Sequence, residues 1–495
     1  MDGISELLFP VANSASIRAI ETASFSVEGA SYPMMERAAQ ALFDQVCRRF
    51  QSVQKYTVLC GGGNNGGDGA LLAALLFDHG MTVQVYDVAS KARNGDAQKA
   101  WEVLLASGVD VRPSSELDGS ADAAGVIVDA ILGIGGREEL QGEILRLCCW
   151  ANRSRVSGAR VLSVDAPTGL NVDSGQADLN AIIADVTVTF IEDKQGFYLR
   201  KGLVCAGSVI CEKLNSVSIE SPKLSFRFES SSIGKLSPCA RYPVSHKGSY
   251  GHISVIGGDY GYGGAIIMAA SGAARAGAGT VSVMTRERHI APLLARSPSV
   301  MAVSSEDMPL TNALRNDDSI LLVGPGLGRE PWGEALFRQA MMLSCRKVID
   351  ADALYWLSVT PTLELQGNAV LTPHVGEAAR LLELSVDDVS ANLVNSAKSL
   401  SRRYSAVVVL KDVSSIIAAP DGRVVITGNP CPGLAKGGSG DVLSGMIASC
   451  LAYYSKPFEA TVIAVAWHNY AAIRAGRALG DICMQPYELL EYLQV

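Results

Sequence analysis

The chain lacks several features that would fix its role at once. Its 11 cysteines form no C-x-x-C pair and follow no regular spacing. That excludes a zinc ribbon or a disulfide framework and suits a reducing compartment. Lys and Arg number 42 against 50 Asp and Glu, a net charge of −8. No global basic field therefore exists to hold a nucleic acid or an anionic membrane surface. A local phosphate site stays open, because backbone amides bind phosphate without net positive charge. The longer apolar runs, 265–274 and 442–454, are broken by Gly or flanked by charge, and both are too short to span a bilayer. The opening MDGISELLFP has no basic stretch ahead of an apolar core, so no signal peptide is expected. These absences predict a cytoplasmic protein with no nucleic-acid or membrane partner, and a homo-oligomer is expected.

What is present is ample apolar material, 48% of 495 residues, with 49 glycines gathered into a few runs. At roughly 150 residues per domain the length predicts two to four domains. In the first half, candidate strands at 56–60, 81–88, 126–131, 160–164 and 186–190 alternate with helix-length segments such as 69–77 and 96–106. A helical stretch, 14–50, precedes them. Such alternation reads as a doubly wound parallel sheet. The span 214–241 is rich in Ser and Pro, has no sustained period, and reads as a linker. A second alternation follows, with strands predicted at 252–256, 280–284, 319–323, 347–349, 369–371 and 407–410. Its helices are predicted around 265–276, 333–342, 377–382 and 441–451. Two different α/β domains, 1–213 and 242–495, are the expectation.

Three segments of the first half carry chemistry. CGGGNNGGDG (60–69) follows a strand and opens a helix. Glycines there let the backbone approach a ligand, and helix-start amides favour a phosphate. A glycine turn alone is weak evidence, but the Asn pair adds amide oxygens. VDAILGIGG sets Asp129 at a strand end, and LSVDAPTGL sets Asp165 and Thr168 at another. In open α/β sheets such ends converge on one crevice. A lone Asp at a strand end is more often a helix cap. Here Asn65, Asp129 and Thr168 offer oxygen donors only, which suits a hard cation rather than zinc.

GGGNNGGDG, DAILGIG, SVDAPTGL and the later TFIEDKQG together resemble the YjeF N-terminal family, the NAD(P)H-hydrate epimerases. The resemblance implies a potassium site at Asn65, Asp129 and Thr168. It implies hydrate contacts at Asn64, Asn65, Gly66, Gly67 and Asp68, and along Gly133, Ile134, Gly135, Gly136, Arg137, Glu138 and Glu139. Asp165 would be the acid–base group, assisted by Lys194. Gly62 stands where the family commonly has Pro, and Thr168 where Ser is common; Thr keeps the hydroxyl.

In the second half, GLAKGGSGDVLSGMIASCLA (433–452) is a glycine run ending in Gly-Asp at the start of an apolar helix. Helix-start amides there make an anion hole, and Asp441 at its mouth can take a proton from an attacking hydroxyl. An N-cap role for Asp441 is compatible with that. His374 in LTPHVGEAARLL lies where a strand hands over to a helix, a place where capping alone would explain it. The Gly-x-Gly-Asp pattern resembles the ribokinase-like superfamily. With LLVGPGLG and the loop after 252–256, the set resembles the YjeF C-terminal family, the NAD(P)H-hydrate dehydratases. The resemblance implies hydrate contacts at Ala265, Gly326, His374 and Asp441, and nucleotide contacts at Lys411, Asp412, Val413, Ser414, Ser415 and Gly440. ADP is the implied phosphoryl donor, ATP being an alternative, with Mg2+ beside the nucleotide. Asp412 departs from the family's Gly, and GNPCPGLAKGG is two residues longer than the usual run.

The expected function is therefore repair of hydrated nicotinamide cofactors, NADHX and NADPHX. A small-molecule kinase with an accessory N-terminal domain explains Asp441 but not the complete crevice of the first half. A non-enzymatic scaffold would tolerate loss of Asn65, Asp129 or Asp165, yet all are present. No single basic residue stands out as a reader of a 2′-phosphate, so acceptance of both hydrates is expected.

Overall fold

The computed structural model describes residues 4–89, 91–119, 124–135, 139–216, 225–235, 238, 240–306, 319–360, 365 and 367–495. The chain divides into two units, Pro10–Ser225 and Phe226–Val495, the latter also taking Met1–Phe9. Both are α/β, as the strand–helix alternation predicts.

After β1 (Leu8–Val11) come β2 (Lys55–Cys60), β3 (Thr82–Asp87), β4 (Asp110–Pro113), β5 (Val126–Ala130), β6 (Arg160–Val164), β7 (Val186–Phe190) and β8 (Ser208–Glu212). The last seven form one parallel sheet ordered β4-β3-β2-β5-β6-β7-β8. VIVDA of β5 and VTVTF of β7 are buried at every position, as strands covered on both faces require. Winding reverses between β2 and β5, which opens a crevice at their carboxyl ends. The helical stretch 14–50 is two helices, Ser14–Glu28 and Tyr32–Arg49, separated at Gly29, whose φ is 74°.

The NNGGDG run differs from expectation, because the helix begins at Asn64 and takes in three of its glycines. A Cβ on Gly66 would lie 2.0 Å from the Gly61 carbonyl oxygen, and one on Gly69 would lie 2.3 Å from the Ala130 Cβ. The helix packs closer than any side chain allows, which outweighs about 1 kcal/mol of lost helix propensity per glycine.

The second unit holds β9 (Ser225–Phe228), β10 (His252–Ile256), β11 (Thr280–Thr285), β12 (Met301–Ser304), β13 (Ile320–Val323), β14 (Lys347–Ile349), β15 (Ala369–Leu371), β16 (Val407–Leu410), β17 (Ile416–Ala418) and β18 (Val424–Thr427). They join β1 in the order β1-β9-β18-β17-β16-β15-β14-β13-β10-β11-β12. β10 to β16 run parallel, and β17 opposes both its neighbours. The switch point lies between β10 and β13. Helix Ser439–Tyr453 packs on Gly263–Arg275 through small residues: a Cβ on Gly445 would lie 2.1 Å from the Ala269 carbonyl oxygen.

Two features were not visible in the sequence pattern. The span 214–241, read as a linker, contains β9, which pairs in parallel with β18 and buries Phe228 completely. Four residues are too few to show an alternation. Helix Pro457–Leu479 is buried along most of its length, and a helix that is apolar all round shows no one-sided stripe. Among the described residues no helix is long and apolar enough to cross a membrane.

Candidate active sites

The first site lies at the carboxyl ends of β2, β5 and β6. Asp129, near the end of β5, is fully buried. Its Oδ1 accepts the Thr168 hydroxyl at 2.6 Å, and its Oδ2 accepts the Thr168 amide and the Ser163 hydroxyl, both at 2.9 Å. Burial raises its pKa, against the pull of these hydrogen bonds. Both amide atoms of Asn65 are buried without a hydrogen-bond partner. The Asn65 Oδ1 lies 3.1 Å from where a Cβ on Gly133 would sit, so glycine keeps its cradle open. Amide, carboxylate and hydroxyl oxygens are donors for a hard cation. Among the described residues no group of three His, Cys, Asp or Glu side chains could hold a metal.

Asp165 follows β6 with φ 62°, a left-handed conformation costing a non-glycine residue roughly 1–2 kcal/mol. Its amide donates to the Val188 carbonyl at 2.8 Å, which fixes the turn. The Lys194 ammonium, 1% exposed, donates to Asp165 Oδ1 at 2.6 Å, to the Thr189 hydroxyl at 2.6 Å and to the Phe190 carbonyl at 2.9 Å. All three ammonium protons have acceptors, so the buried cation is fully compensated. Asp68 is buried too, and desolvation, then the charges of Asp165 and Glu21, push its pKa well above the carboxylate range.

Around this centre Asn64 is exposed while Gly66 and Gly67 are packed. Gly133 and Ile134 are half-buried in the turn after β5, and Gly135 and Glu139 are exposed. Gly136, Arg137 and Glu138 lie outside the described residues. Glu21 escaped the sequence reading. It shares the inward helix face with Ile17, Ile20 and Ser24, and burial followed by Asp165 raises its pKa. A carboxylate among the apolar positions of an amphipathic helix was the available signal.

In the second unit Asp441 lies in the first turn of helix Ser439–Tyr453. Burial, then the neighbouring Asp350, lifts it to about 7, with Lys411 opposing. The Lys411 Nζ contacts Asp350 Oδ1 at 2.9 Å and lies 3.1 Å from where a Cβ on Gly440 would be. Burial alone would lower Lys411, but Asp350, Glu377 and Asp441 hold it above the ordinary lysine value. His374 caps helix Val375–Leu382: its Nδ1 accepts the Gly376 amide at 3.0 Å and the Glu377 amide at 3.4 Å. That leaves the proton on Nε2. Burial first, then Lys411, lowers its pKa, so the ring is neutral. Gly326, with φ 59°, faces Tyr262 and Ala265: its Cβ would lie 2.6 Å and 3.4 Å from theirs.

The 411–415 run divides. Lys411 faces the acidic centre, Val413 is exposed, Asp412 and Ser415 are half-buried, and the Ser414 hydroxyl is buried without a partner. The sequence reading missed Asp350, Asp352 and Glu377. Asp350 is 1% exposed, and Asp352 Oδ2 accepts the Gly328 amide at 3.0 Å, tying the loop after β13 to this centre. Glu377 is raised to about 7, chiefly by burial. Asp350 and Asp352, directly after the strand KVI, were the overlooked signal.

Comparison with known proteins covers both units. Residues 31–196 match a family model described as YjeF-related protein N-terminus, and 253–495 match one described as NAD(P)H-hydrate dehydratase. A bifunctional NAD(P)H-hydrate repair enzyme of Coxiella burnetii is 35% identical over 494 residues, covering 97% of each chain. That of Escherichia coli is 37% identical over 471 residues, covering 94% of this chain and 89% of the relative. Among solved structures, the ADP/ATP-dependent NAD(P)H-hydrate dehydratase of Bacillus subtilis, co-crystallised with ATP and Mg2+, is similar at 26% identity and TM-score 0.48. The match covers 53% of this chain and 94% of that one.

Proposed function

Because the chain belongs to the bifunctional NAD(P)H-hydrate repair enzymes, we propose that Asp165 serves its epimerase and Asp441 its nucleotide-driven dehydratase. The observation that carries this assignment is that each unit holds its own buried acid–base centre beside a glycine-lined strand or helix end. In the first, Asp165 exchanges a proton with the hydroxyl of the hydrated ring while Lys194 fixes the carboxylate in place. Asn65, Asp129 and Thr168 would hold potassium, which supplies a fixed positive charge beside the hydrate. The unpartnered Asn65 amide and the open space at Gly133 favour that role.

In the second, Asp441 takes the proton of the S-hydrate hydroxyl as its oxygen attacks the β-phosphorus of ADP. An O–P bond forms, the P–O bond to AMP breaks, and AMP leaves. The new phosphate then departs with the C–O electron pair, and loss of a ring proton restores the dihydronicotinamide. Phosphate leaves where hydroxide would not. Helix-start amides and Lys411 bind the transferring phosphate, and the neutral His374 donates to the hydrate from Nε2. ADP rather than ATP as donor, Mg2+ with the nucleotide, action on NADHX and NADPHX alike, and a cytoplasmic homo-oligomer complete the proposal.

Epimer-resolved chromatography of R-enriched NADHX tests it. Conversion to the S form is expected without nucleotide, faster in potassium than in sodium, with dihydronicotinamide appearing only after ADP is added. Dihydronicotinamide formed without nucleotide, or no exchange of epimers, would contradict it.

A further inference from the structure

β3 runs beside β2 with Asp87 opposite Cys60, so Asp87 ends its strand next to the glycine turn that follows Cys60. Arg93 grips it from two sides: Nη2 donates to Oδ1 at 2.7 Å and Nη1 to Oδ2 at 3.3 Å. The same Nη2 reaches the Gly61 carbonyl at 3.2 Å, and the guanidinium carbon stands 3.4 Å from the centroid of the Trp101 ring. Arg93's side chain is only 6% exposed, yet its Nε donor is buried without a partner. The Asp87 side chain is 32% exposed. A guanidinium that is stacked and desolvated, with one donor left over, has capacity for one further acceptor such as an anion.

A dinucleotide laid across the switch point of an open α/β sheet puts its phosphates at the helix start and one nucleoside on each side. Asp165, at the end of β6, draws the hydrated nicotinamide to the β5 and β6 side. The adenosine ribose then falls on the β3 side, beside Asp87. A carboxylate at that strand end, about 20 residues after the glycines, accepts ribose hydroxyls, and an arginine nearby accommodates a 2′-phosphate. NADHX and NADPHX differ only at that point.

We propose that Asp87 and Arg93 read the adenosine ribose of the hydrate, Asp87 accepting the 2′-hydroxyl of NADHX and Arg93 receiving the 2′-phosphate of NADPHX. The assignment rests on the epimerase reading of the first unit. With NADPHX the guanidinium exchanges Asp87 for the phosphate and gains a partner for Nε, while the carboxylate turns to solvent. One paired site thereby accepts both cofactors, each through a different residue.

Epimerase kcat and KM are measured separately for NADHX and NADPHX. Asp87→Ala should raise the KM for NADHX about tenfold, the size of one lost charge-assisted hydrogen bond, and shift preference toward NADPHX. Arg93→Gln should raise the KM for NADPHX about tenfold by the same loss and shift preference toward NADHX. kcat should hold in both. Should Arg93→Gln fail to fold, Arg93→Lys decides, since it keeps the charge but loses the bidentate face and still disfavours NADPHX. Ratios that move together, or stay at the wild-type value, overturn the proposal while leaving the epimerase reading intact. A wild-type chain that interconverts neither hydrate overturns both.

Discussion

Asp165 and Asp441 are the same residue type in similar places, each at the end of an element and lined by glycine, but their neighbours differ. Asp165 touches its own buried cation: Lys194 lies 2.6 Å away and spends its other two protons on Thr189 and Phe190. Asp441 faces a lysine already claimed by Asp350, and burial among further carboxylates lifts it to about 7. A carboxylate locked to a lysine suits a reaction in which a proton goes out and returns. One poised near neutrality suits a reaction that removes a hydroxyl proton once, as phosphate arrives. Position in the fold sets where an acid acts, and the company it keeps sets what it does.

The largest expected break in this comparison is Asp441→Asn. Dehydration should fall about a thousandfold, within the range of a lost general base, while epimer exchange is unchanged. The variant should also be more stable above pH 7. The raised pKa means the folded chain holds a proton there longer than the unfolded chain, so stability declines as pH rises toward 7, and the amide removes that burden. Thermal melting at pH 8 reads this as a higher Tm.

Lys194→Met should act on the other side alone. It leaves Asp165 beside a cavity without its cation, and removing one partner of such a buried pair costs about 3–5 kcal/mol. Epimerisation should drop about a hundredfold with the dehydratase kcat intact; equal losses in both activities would mean global unfolding instead. A pH profile sharpens the contrast with a smaller effect. Below about 7 Asp441 is protonated, so kcat/KM for dehydration should fall about tenfold per unit, while epimerisation should not follow that curve. Smallest is Gly133→Ala, whose Cβ would crowd the Asn65 Oδ1 at 3.1 Å. It should raise the potassium concentration needed for half-maximal epimerisation severalfold and leave dehydration untouched.

Much of the fold was legible because buried parallel strands read as short β-branched runs: 160–164, 186–190, 252–256 and 407–410 coincide with β6, β7, β10 and β16. What escaped did so for definite reasons. SFRF of β9 is too short to alternate visibly, and helix Pro457–Leu479 is buried nearly all round and so carries no stripe. NNGGDG looked like loop because its glycines answer to packing against Gly61 and Ala130, partners that only the tertiary structure names. At the sites, residues beside glycine runs could be singled out from local sequence. The pairing of Lys411 with Asp350 joins positions 61 apart, and that of Asp87 with Arg93 spans a loop that no motif marks. Electrostatic partnership of either kind leaves no local pattern to read.

The most direct measurement is recovery of dihydronicotinamide absorbance from mixed R and S NADHX with ADP and potassium, for the wild type and two variants. The wild type should recover both epimers. Asp165→Ala should recover the S fraction promptly and the R fraction only slowly, and Asp441→Asn should recover neither while still exchanging epimers. Full recovery at the wild-type rate by Asp165→Ala, or any rapid recovery by Asp441→Asn, would contradict the division of labour between the two sites.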